Sequence, residues 1–148
     1  MATNTINIHR VFRAEPELIY RAFLDGAALS KWLPPNGFTC NVDHINAVVG
    51  GTFKMSFTNF SSGNMHSFGG EYLELVPNEL IRYTDKFDDP NLPGEILVTI
   101  TLKKVLCGTE MHIEQAGIPD VIPPDMCYLG WQESLILLGK LVETVVAE

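Results

Sequence analysis

The sequence predicts an α+β fold: an antiparallel sheet of about seven strands curled around a long C-terminal helix, with two short helices after the first strand. Three observations carry this. From Phe38 to about Gln115, β-branched and aromatic residues alternate with polar ones, the period-two signature of half-buried strands. After Pro123-Pro124-Asp125 the apolar spacing changes to 3.6 residues, as in a helix. At the other end a single strand pattern runs straight into a helical one, and strands segregated from helices along a chain point to an α+β arrangement.

The elements follow in order. Thr5 to Phe12 alternates, with Ile6, Ile8 and Arg10 on one face and Asn7, His9 and Val11 on the other. Pro16 suits the first turn of a helix, and Ile19, Ala22 and Phe23 recur at helical spacing until Asp25-Gly26. Ala27 to Leu33 adds a second short helix that Pro34-Pro35 stops, leaving Trp32 in a helical corner with its ring beneath the sheet. About six strands come next, separated by turn clusters at Val49-Gly50-Gly51, Ser61-Ser62-Gly63-Asn64, Pro77-Asn78, Asp88-Asp89-Pro90 and Cys107-Gly108. Phe53, Met55 and Phe57 share a face, as do Val98, Ile100 and Leu102, and Met111, Ile113 and Gln115. Lys54, Thr99, Thr101, Lys103, Glu110, His112 and Glu114 occupy the opposite faces, so one side of the sheet is wet. The last helix carries Trp131, Leu135, Leu138, Val142 and Val145 as one stripe to the C-terminus, and its other flank (Ile136, Leu137, Leu141) is apolar enough to need cover.

Composition narrows the function. A chain of 148 residues is read as one domain, residues 1–148, and 46% apolar residues supply its core. A net charge of −8 is the wrong sign for phosphates, which excludes nucleic acid and anionic membranes as expected partners. Cys40, Cys107 and Cys127 are odd in number and irregularly spaced, which suits free thiols in the cytoplasm. The N-terminus lacks the pattern of a signal peptide, and the run Leu135-Ile136-Leu137-Leu138 is far too short to span a bilayer. Asn59-Phe60-Ser61 fits a glycosylation acceptor but reads as a surface turn.

Nearly the whole chain carries a further pattern. Phe12-Arg13-Ala14, Tyr20-Arg21-Ala22-Phe23 and Leu29-Ser30-Lys31-Trp32-Leu33-Pro34-Pro35 stand in the N-terminal part. Val49-Gly50-Gly51-Thr52-Phe53, the run Gly69 to Pro77 and Ile81-Arg82-Tyr83-Thr84 stand in the middle, and Gly130-Trp131 with Leu135 and Leu138 near the end. In these residues the chain resembles the START-like (SRPBCC), helix-grip superfamily, in the branch of the activator of heat-shock-chaperone ATPase homologues. The resemblance implies a sheet gripping the last helix with an apolar cavity between them. It leaves the use of that cavity open, since such folds carry lipids and hormones and cyclise polyketides.

A two-residue loop at Pro77-Asn78 would set Val76 opposite Glu79, and then Tyr72 faces Tyr83, Gly70 faces Asp85, Phe68 faces Phe87 and His66 faces Asp89. If that side faces the cavity, one carboxylate, Asp85, crosses an aromatic patch with no side chain opposite, and a His66–Asp89 pair stands at the rim. The alternative is an aromatic ladder on an ordinary core, with Asp85 turned to solvent. Facing the cavity, Asp85 must pair, accept a hydrogen bond or raise its pKa, and so would anchor a hydroxyl or amine or act as a general base. Trp32, Phe38, Met55, Phe57, Met126, Trp131 and Leu135 are candidates to close the cavity over a ligand. Met111 and Ile113 line it from their strand, and Gln115 either offers a hydrogen bond or reaches water.

Other chemistry finds less support. Cys40 and His44 share a strand face but no second pair matches, so no metal is expected, and His9, His44 and His112 read as exposed strand residues. There is no Gly-x-Ser-x-Gly elbow, and Ser67 points away from the face of His66. Gly50-Gly51 and Gly69-Gly70 lack nucleotide-binding spacing, so no cofactor is expected. Cys127, near a helix start, is either an activated thiol or a packed one. Three functions remain: a carrier of a small apolar or aromatic molecule; a cyclase or dehydratase with Asp85 as base and Tyr72 or Tyr83 as proton donor; and a chaperone-binding module using the outer sheet or a loop. An exposed apolar stripe on an edge strand or the last helix would permit a homodimer.

Overall fold

The computed structural model describes residues 3–148. Strand β1 (Thr3–Phe12) leads through helices α1 (Pro16–Leu24) and α2 (Gly26–Trp32) into six strands: β2 (Phe38–Ile45), β3 (Thr52–Asn59), β4 (Met65–Val76), β5 (Leu80–Phe87), β6 (Ile96–Val105) and β7 (Gly108–Pro119). Helix α3 (Pro124–Val142) follows. All seven strands form one antiparallel sheet in the order β1-β7-β6-β5-β4-β3-β2, so β1 and β2, joined by the two short helices, lie on opposite edges. The sheet is curled but unclosed, the α+β helix-grip arrangement expected.

The helical corner depends on Asp25. It ends α1, and its side chain accepts the Ala28 N–H (3.0 Å), capping α2 from Gly26, a residue earlier than the apolar pattern suggested. Trp32 is fully buried there; its indole donates to the Ala22 carbonyl (3.0 Å) and its ring meets Phe23 edge-on at 4.8 Å. It packs inside the corner, closing α1 onto α2.

The β4–β5 hairpin differs near its tip from the two-residue loop. Val76 pairs with Leu80, so Pro77, Asn78 and Glu79 all lie in the connection, and the Glu79 N–H bonds back to the Val76 carbonyl (3.0 Å). Pro77 followed by Asn78 at φ 67° fits a type II turn, whose second central residue must adopt positive φ. The register is then one residue off, until an irregularity between Tyr72 and Glu74 restores it. Beyond that point Tyr72 pairs with Tyr83 and Phe68 with Phe87, as expected. The ladder ends at Phe87, so His66 and Asp89 do not pair; Asp89 instead accepts the Asn91 N–H, and Asp88 binds Lys54.

Helix α3 ends at Val142, and Val145, 90% exposed, lies outside it and outside the apolar stripe. Trp131, Leu135, Leu138 and Val142 are buried as the stripe requires. Of the other flank, Leu137 and Leu141 pack partly buried against the core, while Ile136 is exposed, as are Met126, Tyr128 and Leu129 elsewhere on the helix. At its C-terminal half α3 sits on β1, and Glu143 accepts the Arg13 N–H (2.8 Å). At its N-terminal half it leans on α2: Ser134 donates to the Leu33 carbonyl (2.6 Å) and Glu133 accepts the Asn36 N–H (3.1 Å). Its backbone approaches β1, α1 and α2, which lets it stand away from β3, β4 and β5.

Candidate functional site

That stand-off leaves a cavity of about 300 Å³ between the N-terminal half of α3 and the concave faces of β3, β4 and β5. Its far wall is aromatic and built in two tiers. Phe38, Phe57, Phe68 and Phe87 follow one another near the mouth with successive ring centroids 6.4, 4.9 and 6.3 Å apart. Phe53, Tyr72 and Tyr83 form the deeper group at 5.5 to 6.1 Å. Tilted and edge-on pairs at such spacings are favourable beyond their buried area.

Asp85 interrupts this wall. Phe68 pairs with Phe87 and Tyr72 with Tyr83; the same-face residue between each pair is Gly70 on β4 and Asp85 on β5. Two rings on β5 and two on β4 therefore flank one carboxylate, and Gly70, where β4 and β5 approach closely, brings no side chain between them. The Asp85 Oδ1 is sealed from bulk water and has no hydrogen-bond partner among the described residues. Burial pushes Asp85 from 3.8 up to about 7, although the Lys86 backbone N–H pulls the other way. The Tyr83 hydroxyl is raised well above 10, by burial first and then by the negative charge it would share with Asp85 and Tyr72; burial alone raises Tyr72.

Two further polar side chains already have protein partners. Gln115 also reaches the cavity, where its Oε1 accepts the Trp131 indole N–H (3.1 Å), a bond that ties α3 to β7. Ser134 donates to main-chain carbonyls of Leu33 and Gly130. Cys127 faces the cavity half-buried, and burial together with Asp125 raises its pKa; desolvation here outweighs the helix N-terminus, leaving a packed thiol. Among the described residues, the walls contain no lysine or arginine, and His66 stands exposed at the rim.

Of the residues expected around a ligand, Phe38, Met55, Phe57, His66, Phe68, Tyr72, Tyr83, Asp85, Phe87 and Trp131 all line this cavity. Five do not. Trp32 lies in the helical corner; Met111, Ile113 and Leu135 are fully buried in the packed core; and Met126 is 65% exposed. The cavity also includes Phe23, Leu29, Phe53, Cys127 and Ser134, absent from that expectation. Two of these were signalled by spacing: Phe53 is two residues from Met55 on one strand, and Ser134 follows Trp131 by three on a helix. Among the described residues no group of three potential ligands could hold a metal ion, and no helix is long and apolar enough to cross a membrane.

Comparison with known proteins gives the same architecture a lineage. The family model of the activator of Hsp90 ATPase homolog 1-like proteins matches residues 13–143. The chain belongs to this family. A protein of known structure from Chromobacterium violaceum is similar at 60% identity, with 96% of this chain and 99% of that one aligned and a TM-score of 0.95. A protein from Rhodobacter sphaeroides shares the fold at 22% identity (94% and 91% covered, TM-score 0.84), and one from Staphylococcus epidermidis at 18% (100% and 94%, TM-score 0.82). No curated protein matches the chain.

Proposed function

We propose that this family member binds an apolar or aromatic small molecule in the cavity between α3 and the sheet. The observation that carries this reading is an aromatic-walled cavity of about 300 Å³ with one unpartnered carboxylate oxygen, that of Asp85, inside it. An apolar cavity leaves its wall atoms without dispersion partners, and a buried acceptor without a donor is destabilising; a ligand with an apolar body and one donor relieves both. Sites of this kind, mostly apolar with few convergent polar groups, are typical of small-molecule binding. The test is native mass spectrometry of protein purified without detergent. A reproducible adduct lost on denaturation supports carriage and gives the ligand's mass; the bare mass alone argues against tight carriage of an abundant metabolite.

One observation favours a catalytic use of the same site. A carboxylate titrating near 7 is suited to act as a general base on a carbon acid, with the cavity holding a reactive chain folded, as a cyclase or dehydratase requires. Tyr83 or Tyr72, each raised above its usual range, would serve as hydrogen-bond donor to developing negative charge rather than surrender its proton. Turnover that is lost in Asp85→Asn and retained in Tyr83→Phe at reduced rate distinguishes this from carriage. Family membership adds a chaperone-binding reading, which the chaperone's ATPase rate with and without this protein decides.

A further inference from the structure

The geometry points to an organic cation as the ligand: an apolar, preferably aromatic body ending in an ammonium group that sits beside Asp85 within the frame of Tyr72, Tyr83, Phe68 and Phe87. This rests on the ligand-binding reading and names the chemical class that the same cavity selects.

Three features converge. The first is the Asp85 Oδ1, closed off from bulk water and without a donor among the described residues. A neutral hydroxyl supplies one hydrogen bond but leaves a desolvated charge uncompensated, whereas an ammonium supplies both the donor and the counter-charge. The second is the frame itself. Aromatic faces carry negative potential and attract cations within about 6 Å of the ring, and here Tyr83 and Phe87 flank the carboxylate on β5, with Tyr72 and Phe68 opposite them on β4 and all four lining the same cavity. The third is what the walls omit. Groups facing Asp85 from the packed elements are Tyr83 on its own strand, Tyr72 on β4, and Cys127 on α3 across the cavity, with His66 at the rim; none is a lysine or arginine. The Gln115 Oε1 and the Ser134 hydroxyl already have protein partners. An anionic ligand would meet Asp85 with no opposite charge nearby, and the chain's net charge of −8 also favours entry of cations over anions.

The experiment is a titration of the full chain at pH 8 with three compounds of equal length, 4-phenylbutylamine, 4-phenylbutan-1-ol and 4-phenylbutanoate, read by calorimetry and by Trp131 fluorescence. The amine is expected to bind about tenfold or more tighter than the alcohol, since hydrogen bonds to charged groups are the strong ones, and the acid weakest of all. In Asp85→Asn the amine falls to the alcohol's level while the alcohol's affinity is retained, which also reports an intact cavity. Lowering the pH to 5 in the native protein weakens the amine and leaves the alcohol unchanged. An alcohol that binds as tightly as the amine, or an amine preference that survives Asp85→Asn, overturns the cation assignment and leaves the cavity reading standing. Failure of all three to bind overturns both.

Discussion

Asp85→Asn has an effect on stability that can be worked from the site before any ligand is known. Asp85 is lifted from 3.8 to about 7 by burial, so the folded protein holds a proton that the unfolded chain has already lost between those two values. Well below 3.8 both states are protonated and the residue costs nothing. As the pH rises through the window the unfolded state binds fewer protons than the native one, and stability falls with pH. At about 1.4 kcal/mol per pH unit the accumulated loss by pH 8 is roughly 4 kcal/mol, reduced to the extent that cavity water solvates the second carboxylate oxygen. The amide that Asp85→Asn introduces cannot ionise and does not show this slope. Any cost of burying that amide is the same at every pH. The assay is urea unfolding of both proteins between pH 4 and 8.5. The expected result is a difference that grows steadily in favour of the variant from pH 4 to 7 and then levels off. A difference that stays flat across the range would mean that Asp85 titrates as an exposed carboxylate, and the desolvated site argued from it would be refuted.

Two further perturbations test the wall and the mouth. A Cβ at Gly70 would lie 1.7 Å from the Thr84 carbonyl oxygen, a main-chain atom that moves only if β5 moves, whereas one at Gly130 meets nothing within 4 Å. Gly70→Ala is therefore expected to lose about 3 kcal/mol and about 10 °C of Tm by thermal circular dichroism, and Gly130→Ala to be neutral or slightly stabilising; equal effects would contradict the close approach of β4 and β5. Thiol titration with a disulfide reagent at pH 8 should show one fast cysteine, the exposed Cys107. Two slow ones should follow, Cys40 pushed up to about 11 by burial and Cys127 raised by burial and Asp125. A cavity ligand should slow Cys127 further, and an unchanged Cys127 rate on ligand binding would place the ligand elsewhere.

The fold was legible because its signals are periodic. Alternation over β2 to β7 and the stripe from Trp131 to Val142 each arise from one face being buried, and burial of one face is what the period records. The tip of the β4–β5 hairpin was not legible in the same way. Pro77-Asn78 announces a turn, but whether two or three residues close it depends on the backbone of Asn78, and the compensating irregularity at Leu73 leaves no trace in the apolar pattern. The two departures cancel, which is why Tyr72, Tyr83, Phe68 and Phe87 were correctly opposed although the loop was not. Within the site, the facing residues of β3 to β5 were readable from strand alternation. Met111, Ile113 and Leu135 share that alternation or the helical stripe and yet lie in solid core. The difference is made by where α3 docks, and this is decided by Glu143 against Arg13 and Ser134 against Leu33, contacts between segments far apart in the chain.

The central claim, that the space under α3 admits a ligand, is tested most directly by the two tryptophan indole N–H signals in a nitrogen-15 NMR spectrum. Trp131 stands in the cavity wall, bonded to Gln115, while Trp32 is sealed in the helical corner and bonded to Ala22. On titration with 4-phenylbutan-1-ol, a neutral probe that needs no charge on Asp85, the account predicts a saturable shift of the Trp131 signal with the Trp32 signal unmoved. A Trp131 signal that stays in place to the solubility limit of the probe, or that moves only together with Trp32, would contradict it.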